Sequence, residues 1–196
     1  MDDDGDGETY IQLVLADSSL PTGSFVASSG LESYFKHGFA ALFPSPEHAL
    51  VTFIRQSLAT YARSALPFVT DAHRVASAAK CSHTTLSSLL TLDKLYEASN
   101  LNHVARRAST AQGVALLTLF SKGLSPPPIH ADIFKDAPPL CQPSSLLSSL
   151  VDEFKLLVRR EETPGHLPIC WGILTAALGL SLGSHCSTTI LLVPCR

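Results

Sequence analysis

Residues 45–61 read SPEHALVTFIRQSLATY, and this stretch decides the fold class. A serine that can cap a helix is followed by proline at the first helical position and by an acid in the first turn, which is typical of a helix start. Apolar residues then recur at spacings of three and four, namely Leu50, Phe53, Ile54, Leu58 and Tyr61. This period is that of one helix face, so the stretch predicts an amphipathic α-helix.

The same period continues along the chain, and strand-like alternation is scarce. After a short segment at 10–16, the pattern predicts helices near 29–37, 46–61, 67–79, 85–98, 100–121, 144–160 and 169–182. Six of the thirteen prolines fall between positions 126 and 143, which predicts a surface loop there. We therefore predict an all-α, single-domain helical bundle of about seven or more helices.

Composition limits the classes of partner. The chain has 196 residues, 45% of them hydrophobic and 16% charged, enough for one domain with a sizeable core. Five of its 17 acids lie in the first eight residues, namely Asp2, Asp3, Asp4, Asp6 and Glu8. The rest of the sequence contains 12 acids and 14 Lys and Arg residues. Residues 1–9 are thus predicted to be an acidic, disordered tail. Without a basic excess, nucleic acid is not an expected partner.

A long uncharged stretch lies near the C-terminus. Residues 167–195 contain no Asp, Glu, Lys or Arg, which makes the stretch a candidate membrane span. Pro168, Gly172 and Gly179 interrupt it, and few cations flank it, so a buried core helix of about 14 residues is favoured. A membrane-associated protein anchored by residues 169–193 remains an alternative.

Motifs for catalysis are missing from the sequence. It contains no phosphate-binding loop, dinucleotide fingerprint, nucleophile elbow or His-Glu-x-x-His, and no basic secretory leader. Five widely spaced cysteines without Cys-x-x-Cys favour reduced thiols in a cytosol-like compartment. His185, Cys186 and Cys195 are too few for a convincing metal site. We assign no catalytic, cofactor-binding or metal residue, although a helical enzyme with a His/Cys site assembled in space remains an alternative.

Three segments stand out. Residues 20–32 form a loop-to-helix joint in which Pro21 favours a turn and Glu32 follows in the first turn of a helix. Residues 163–172 place His166 before an apolar helix, where it is expected to cap the helix or to be buried and hydrogen-bonded. Both segments are also consistent with ordinary structural joints.

The third segment is the helix at 101–117. Small and apolar residues form a seam that would allow close helix approach, namely Val104, Ala108, Ala111, Ala115 and Leu119. Arg106, Ser109 and Gly113 follow a neighbouring stripe, beside Gln112. The pattern alone favours a solvated face for this stripe over a docking face.

In this order and spacing, the three segments resemble the urease accessory protein UreF family. The resemblance rests on Leu20, Pro21, Gly23, Phe25, Ser29, Gly30, Leu31 and Glu32; on Asn102, Arg106, Ala108, Ser109, Gln112, Gly113, Leu116 and Leu117; and on Gly165, His166, Pro168, Gly172 and Gly179. It covers about residues 11–181. Ser24 stands where the family usually has glycine, and residues 126–143 look like an insertion.

The resemblance sets the expected domain limits. We expect a UreF-like domain at 10–182 with its proline-rich loop at 126–143, and a tail at 183–196 outside the family. The C-terminal helices of the family would then be truncated or replaced.

The resemblance also implies a function. Such a protein is all-α, cytoplasmic, homodimeric and not an enzyme, and it bridges a UreD/UreH-type accessory protein to a UreG-type GTPase. The assembly engages apo-urease and inserts nickel, with GTP hydrolysis linked to delivery. Nickel and GTP are handled by the partners, and this chain carries no cofactor. The implied partner-binding or conformational residues are Glu32, Asn102, Arg106, Ser109, Gln112 and His166, and the structural motif residues are Leu20, Pro21, Gly23, Phe25, Gly30, Gly113, Gly165 and Pro168.

Overall fold

The computed structural model describes residues 9–11, 13–15, 30–79, 82–124 and 145–181. Its helices are α1 (Leu31–Lys36), a 3-10 helix (Phe39–Leu42), α2 (Pro46–Ser77), α3 (Ser82–Ser99), α4 (His103–Leu119) with a π-helical turn (Phe120–Leu124), α5 (Ser145–Arg159) and α6 (Leu167–Ala177). Residues 9–11 and 13–15 are also helical. These described ranges contain no strand, which confirms the all-α class. The predicted acidic tail, proline-rich loop and residues 183–196 lie outside them.

Helix starts follow the sequence signals closely. The hydroxyl oxygen of Ser45 accepts a hydrogen bond of 3.2 Å from the backbone N–H of His48, and Pro46 occupies the first helical position. At α4, the side-chain oxygen of Asn102 accepts hydrogen bonds from the N–H groups of Val104 (3.0 Å) and Ala105 (3.3 Å). This cap explains why α4 begins at His103 rather than at the predicted residue 100.

Both segments predicted as helical, 46–61 and 67–79, are helical, but the break predicted between them is wrong, because α2 runs unbroken from Pro46 to Ser77 through Pro67. Proline inside a helix removes one hydrogen bond and costs about 3 kcal/mol. Pro67 and Arg63, whose carbonyl loses its donor, lie on the exposed side. On the opposite side, buried residues on both sides of the proline pack into the core and offset the cost; they are Ala65, Val69, Ala72 and Ala76.

Helix α6 forms the centre of the bundle. Every residue from Leu167 to Ala177 is buried, and the helix packs chiefly against α2 and α4, with α3 and α5 completing its surroundings. A Cβ on Gly172 would lie 2.6 Å from the carbonyl oxygen of Val69, so only glycine permits this close crossing with α2. The predicted core helix is confirmed, at 11 residues rather than about 14. Across the described ranges, no helix combines the length and apolarity that a membrane span needs.

Candidate functional site

The residues singled out on α4 and before α6 meet where α3, α4 and the start of α6 come together. We call this site the α6 junction; it consists of Asp93, Glu97, Arg106, Ser109, Gly113, Thr163, Gly165 and His166. Helix α3 supplies the acids, α4 supplies Arg106, Ser109 and Gly113, and the loop before α6 supplies the rest.

A buried carboxylate holds the start of α6. The side chain of Asp93 is fully buried, and its Oδ2 accepts hydrogen bonds from the hydroxyl of Thr163 (2.5 Å) and the N–H of Gly165 (2.7 Å). Its Oδ1 accepts the N–H of His166 at 2.9 Å. These N–H groups lie directly before α6, whose positive dipole end is stabilised by an anion. Asp93 therefore fixes both the position and the polarity of the helix start.

A second chain of polar contacts leads from the interior to the surface. His166 is fully buried, and its Nε2 lies 2.5 Å from Oε2 of Glu97. Because a carboxylate only accepts hydrogen bonds, Nε2 is the donor in this pair. The other carboxylate oxygen of Glu97, Oε1, accepts from Nη1 of Arg106 at 2.7 Å. The side chains of Arg106 and Glu97 are about one-third exposed (36% and 35%), so this series of contacts ends at solvent.

Helix α4 lies very close to the backbone at the start of α6. The hydroxyl oxygen of Ser109 accepts the N–H of Leu167 at 3.1 Å, which satisfies another donor at the start of α6. A Cβ on Gly113 would overlap the carbonyl oxygen of Gly165 and lie 3.0 Å from Sγ of Cys170. Glycine is thus the residue that permits this contact.

Burial raises the pKa of two side chains next to the α6 junction, Tyr96 and Cys170. Burial raises the pKa of Tyr96, and hydrogen bonds to Ser109 and Asn100 offset part of the rise. The ring of Tyr96 meets the imidazole of His166 edge-on, with ring centroids 5.0 Å apart. Burial, reinforced by the charge of Asp93, raises the pKa of the Cys170 thiol well above its ordinary value. A thiol in this state is a poor nucleophile, so Cys170 does not support the His/Cys enzyme alternative.

Two of the implied site residues lie at the surface. Asn102 is exposed and caps α4, and Glu32 is exposed in the first turn of α1. Gly30 precedes α1, and Pro168 lies in the first turn of α6. Leu20, Pro21, Gly23 and Phe25 lie outside the described residues.

The structure corrects the orientation of α4. The solvated face favoured for Ser109 and Gly113 is wrong, because both are buried, together with Gln112. The predicted seam is also wrong, because Val104 and Ala111 face solvent. The close approach is made instead at Gly113. For His166, the prediction of a buried, hydrogen-bonded side chain is confirmed.

Sequence reasoning missed Asp93, Glu97 and Thr163. A signal for Asp93 was present, because it falls on the buried stripe of α3 with Thr85, Leu89 and Tyr96. A single acid on an apolar stripe requires a buried partner. Thr163 carried no comparable signal, since its contact with Asp93 joins residues 70 positions apart.

The described part of the chain holds no cluster of three or more His, Cys, Asp or Glu side chains arranged to bind a metal ion. His185, Cys186 and Cys195, considered as metal ligands from the sequence, lie outside that part.

Comparison with known proteins assigns the chain, including the α6 junction, to a protein family. The sequence model of UreF matches residues 45–190, about three-quarters of the chain, and that range includes the whole α6 junction. The chain belongs to the UreF family. The match extends to residue 190, whereas the resemblance predicted from the sequence ends near residue 182.

Fungal and bacterial relatives agree with this assignment. The chain is 40% identical to urease accessory protein 6 of Cryptococcus neoformans over 88% of its own length and 63% of the relative's. It is 30% identical to an uncharacterised UreF-like urease accessory protein of Schizosaccharomyces pombe, over 93% of this chain and 66% of the relative. A UreF of Paenarthrobacter aurescens is 27% identical over 86% of this chain and 59% of the relative. The chain therefore spans less than two-thirds of each of these relatives, and no solved structure matches it significantly.

Proposed function

We propose that this UreF-family chain is a non-catalytic scaffold in urease maturation. It bridges the UreD/UreH-type protein and the UreG-type GTPase so that nickel is inserted into apo-urease, and it modulates GTP hydrolysis by the latter. The observation that carries the proposal is the family match over residues 45–190. Nickel and GTP are handled by the partners, with no cofactor in this chain, and the protein acts as a cytoplasmic homodimer.

The geometry of the α6 junction supports a scaffold. Asp93 and Ser109 are buried and accept backbone N–H groups at the start of α6, and the buried side chain of His166 pairs with Glu97 of α3. Fully satisfied buried networks of this kind fix one relative placement of their helices. These residues hold α3 and α4 in register on the buried helix α6, so that the outer surfaces of α3 and α4 are presented to other proteins.

The implied site residues divide into two roles under this proposal. Ser109, Gln112 and His166 are buried and act as positioning residues. Arg106 reaches solvent and pairs with Glu97, which in turn contacts the buried His166. Asn102 and Glu32 are exposed. Partner contact therefore falls on Arg106, Asn102 and Glu32.

Co-purification tests the proposal. The chain is co-expressed with the UreD/UreH-type and UreG-type proteins of one organism, and complexes are isolated through a tag on either partner. We expect the wild-type chain in both, and a several-fold lower yield with Arg106→Ala. Arg74→Ala is the matched control, because Arg74 forms an exposed ion pair with Asp71 on α2. If the wild-type chain joins neither partner, the proposal is wrong.

Urease activation gives a second readout. Cells lacking the endogenous homologue should regain nickel-dependent urease activity with the wild-type chain and less with Arg106→Ala. Unfolding midpoints of the variants distinguish impaired partner binding from impaired folding. If the Arg106→Ala chain is fully stable and fully active, Arg106 does not take part in partner contact.

A further inference from the structure

The carboxylate of Glu97 joins a side chain at the surface to one in the interior. Its Oε1 accepts a hydrogen bond from Nη1 of Arg106 at 2.7 Å, and its Oε2 lies 2.5 Å from Nε2 of His166. Because each oxygen has its own partner, the carboxylate cannot turn without breaking a contact. Arg106 therefore meets an acceptor whose position is set by the fully buried His166.

Glu97 is not needed to hold the backbone at the start of α6. That backbone is already bonded by Asp93, which accepts the N–H of His166, and by Ser109. Among the described residues, Glu97 bonds only two side chains, those of Arg106 and His166. The side chain of Glu97 is also 35% exposed, unlike that of Asp93. Its position fits a role at the surface, in the placement of Arg106.

Arg106 keeps free donors after this contact. A guanidinium carries five N–H groups on three nitrogens, and only Nη1 of Arg106 has a hydrogen-bond partner among the described residues. Buried side-chain atoms without a partner occur there only at Ser148 and Trp171, so Nε and Nη2 of Arg106 reach solvent. These two nitrogens form an edge that can bind a carboxylate through two parallel hydrogen bonds.

We propose that Glu97 is a positioning residue that holds Arg106 ready to receive a carboxylate of the urease maturation complex. This inference rests on the proposed function, which assigns partner contact to Arg106. A freely rotating arginine loses rotamer freedom on binding, which lowers affinity by a factor of about 2 to 10. The contact with Glu97 restricts Arg106 before the partner arrives. The charge of Glu97 opposes an incoming anion, but at this exposure water and salt screen it.

Two substitutions of Glu97 separate geometry from charge. Glu97→Ala releases Arg106. Glu97→Gln removes the charge and can keep both contacts, because the amide oxygen accepts from Arg106 while its NH₂ group donates to Nε2 of His166. The imidazole then carries its proton on Nδ1, which lies 3.5 Å from the hydroxyl oxygen of Thr110. A positioning role predicts that Gln restores what Ala loses.

Two further variants complete the set. Arg106→Lys keeps the positive charge and loses the edge with two donors, so it should not replace arginine. Asp71→Ala is the matched control for Glu97→Ala. It also removes a carboxylate from an ion pair with arginine, but this pair lies exposed on α2 with Arg74.

Nuclear magnetic resonance tests the positioning directly. The heteronuclear NOE of the Arg106 Nε–H group reports how restricted the side chain is on the nanosecond timescale. We expect a restricted group in the wild type and in Glu97→Gln, and a mobile one in Glu97→Ala. Asp71→Ala should leave the value unchanged.

Urease activation tests the consequence. Purified chain is titrated into extracts of cells that lack the endogenous homologue, with nickel and GTP added, well below the unfolding midpoints of all variants. Glu97→Ala should raise the concentration for half-maximal activation about 2- to 10-fold, and Arg106→Lys should also raise it. Glu97→Gln and Asp71→Ala should match the wild type. The double variant Glu97→Ala/Arg106→Ala should be no worse than Arg106→Ala, since Glu97 acts through Arg106.

Four outcomes would overturn the inference while the proposed function stands. They are an Arg106 side chain that stays restricted in Glu97→Ala, a Glu97→Gln chain as impaired as Glu97→Ala, an effect of Glu97→Ala that adds to that of Arg106→Ala, and full activity of Arg106→Lys. If the wild-type chain does not activate urease, the proposed function fails and the inference fails with it.

Discussion

Replacing Asp93 by Asn keeps the shape of the side chain and removes the charge on which the α6 junction converges. In the wild type, Oδ2 accepts from Thr163 and Gly165, and Oδ1 accepts from His166. An amide has one acceptor oxygen, so its NH₂ group must face at least one of these donors. With the oxygen kept toward His166, the N–H of Gly165 is left buried opposite another donor.

The expected cost follows from the hydrogen bonds that the amide cannot make. Hydrogen bonds to a charged group contribute about 1.5 to 3 kcal/mol each. The Thr163 hydroxyl can turn to accept from the new NH₂ group, so the bond lost is the one from the N–H of Gly165, at a cost of about 1.5 to 3 kcal/mol. Loss of the anion at the start of α6 adds about 0.3 to 1 kcal/mol. Domains unfold with about 5 to 15 kcal/mol, so a total cost of about 2 to 4 kcal/mol for Asp93→Asn is a large share of the protein's stability.

Urea unfolding followed by circular dichroism measures this destabilisation. With a denaturant slope of about 2 kcal/mol per molar, the midpoint of Asp93→Asn should fall by about 1 to 2 M. Asp71→Asn makes the same chemical change at a 55% exposed side chain, whose ion pair with Arg74 spans 3.7 Å, and should cost less than about 0.5 kcal/mol. Equal midpoints for the two variants would refute the role assigned to Asp93.

Three further predictions concern other groups in the core. Gly113→Ala should destabilise the protein by about 1 to 3 kcal/mol despite the better helix propensity of alanine. Gly123→Ala is the control and should be neutral or stabilising, because nothing lies within 4 Å of a Cβ at that position. Coinciding thermal melts of the two variants would contradict this prediction. Burial lowers the pKa of His73, so the unfolded chain binds a proton more readily. The wild-type urea midpoint should therefore fall more than that of His73→Gln between about pH 7.5 and 5.5, and parallel pH profiles would exclude it. In a variant whose other four cysteines are serine, Cys170 should react with a thiol reagent only on unfolding, and rapid labelling of the native protein would disprove its burial.

Local signals predicted most of the helices but not the faces along which they pack. The start of α2 at Ser45 and Pro46 needs only neighbouring residues, and it was predicted correctly. Helix α4 is apolar on two sides, so its sequence does not indicate which side packs inward. The contact of Gly113 with Gly165 decides that question, and it depends on the tertiary fold. Pro67 shows the same limit, since packing against α6 overrides its helix-breaking tendency.

The candidate site was predicted in part for a related reason. Arg106, Ser109, Gln112 and His166 were identified through the family resemblance, and the structure brings Arg106, Ser109 and His166 to one region. The acids that join them, Asp93 and Glu97, interact with atoms about 70 residues distant along the chain. Such pairings form only when the bundle closes, and no local pattern encodes them.

The burial of α6 on all sides bears on how the protein is made. Helices α2, α3, α4 and α5 all precede α6 in the sequence, and together they enclose it. During translation, the most apolar of these five helices therefore leaves the ribosome last. The four helices that enclose α6 are already synthesised at that moment, so the growing polypeptide can bury it as soon as it emerges.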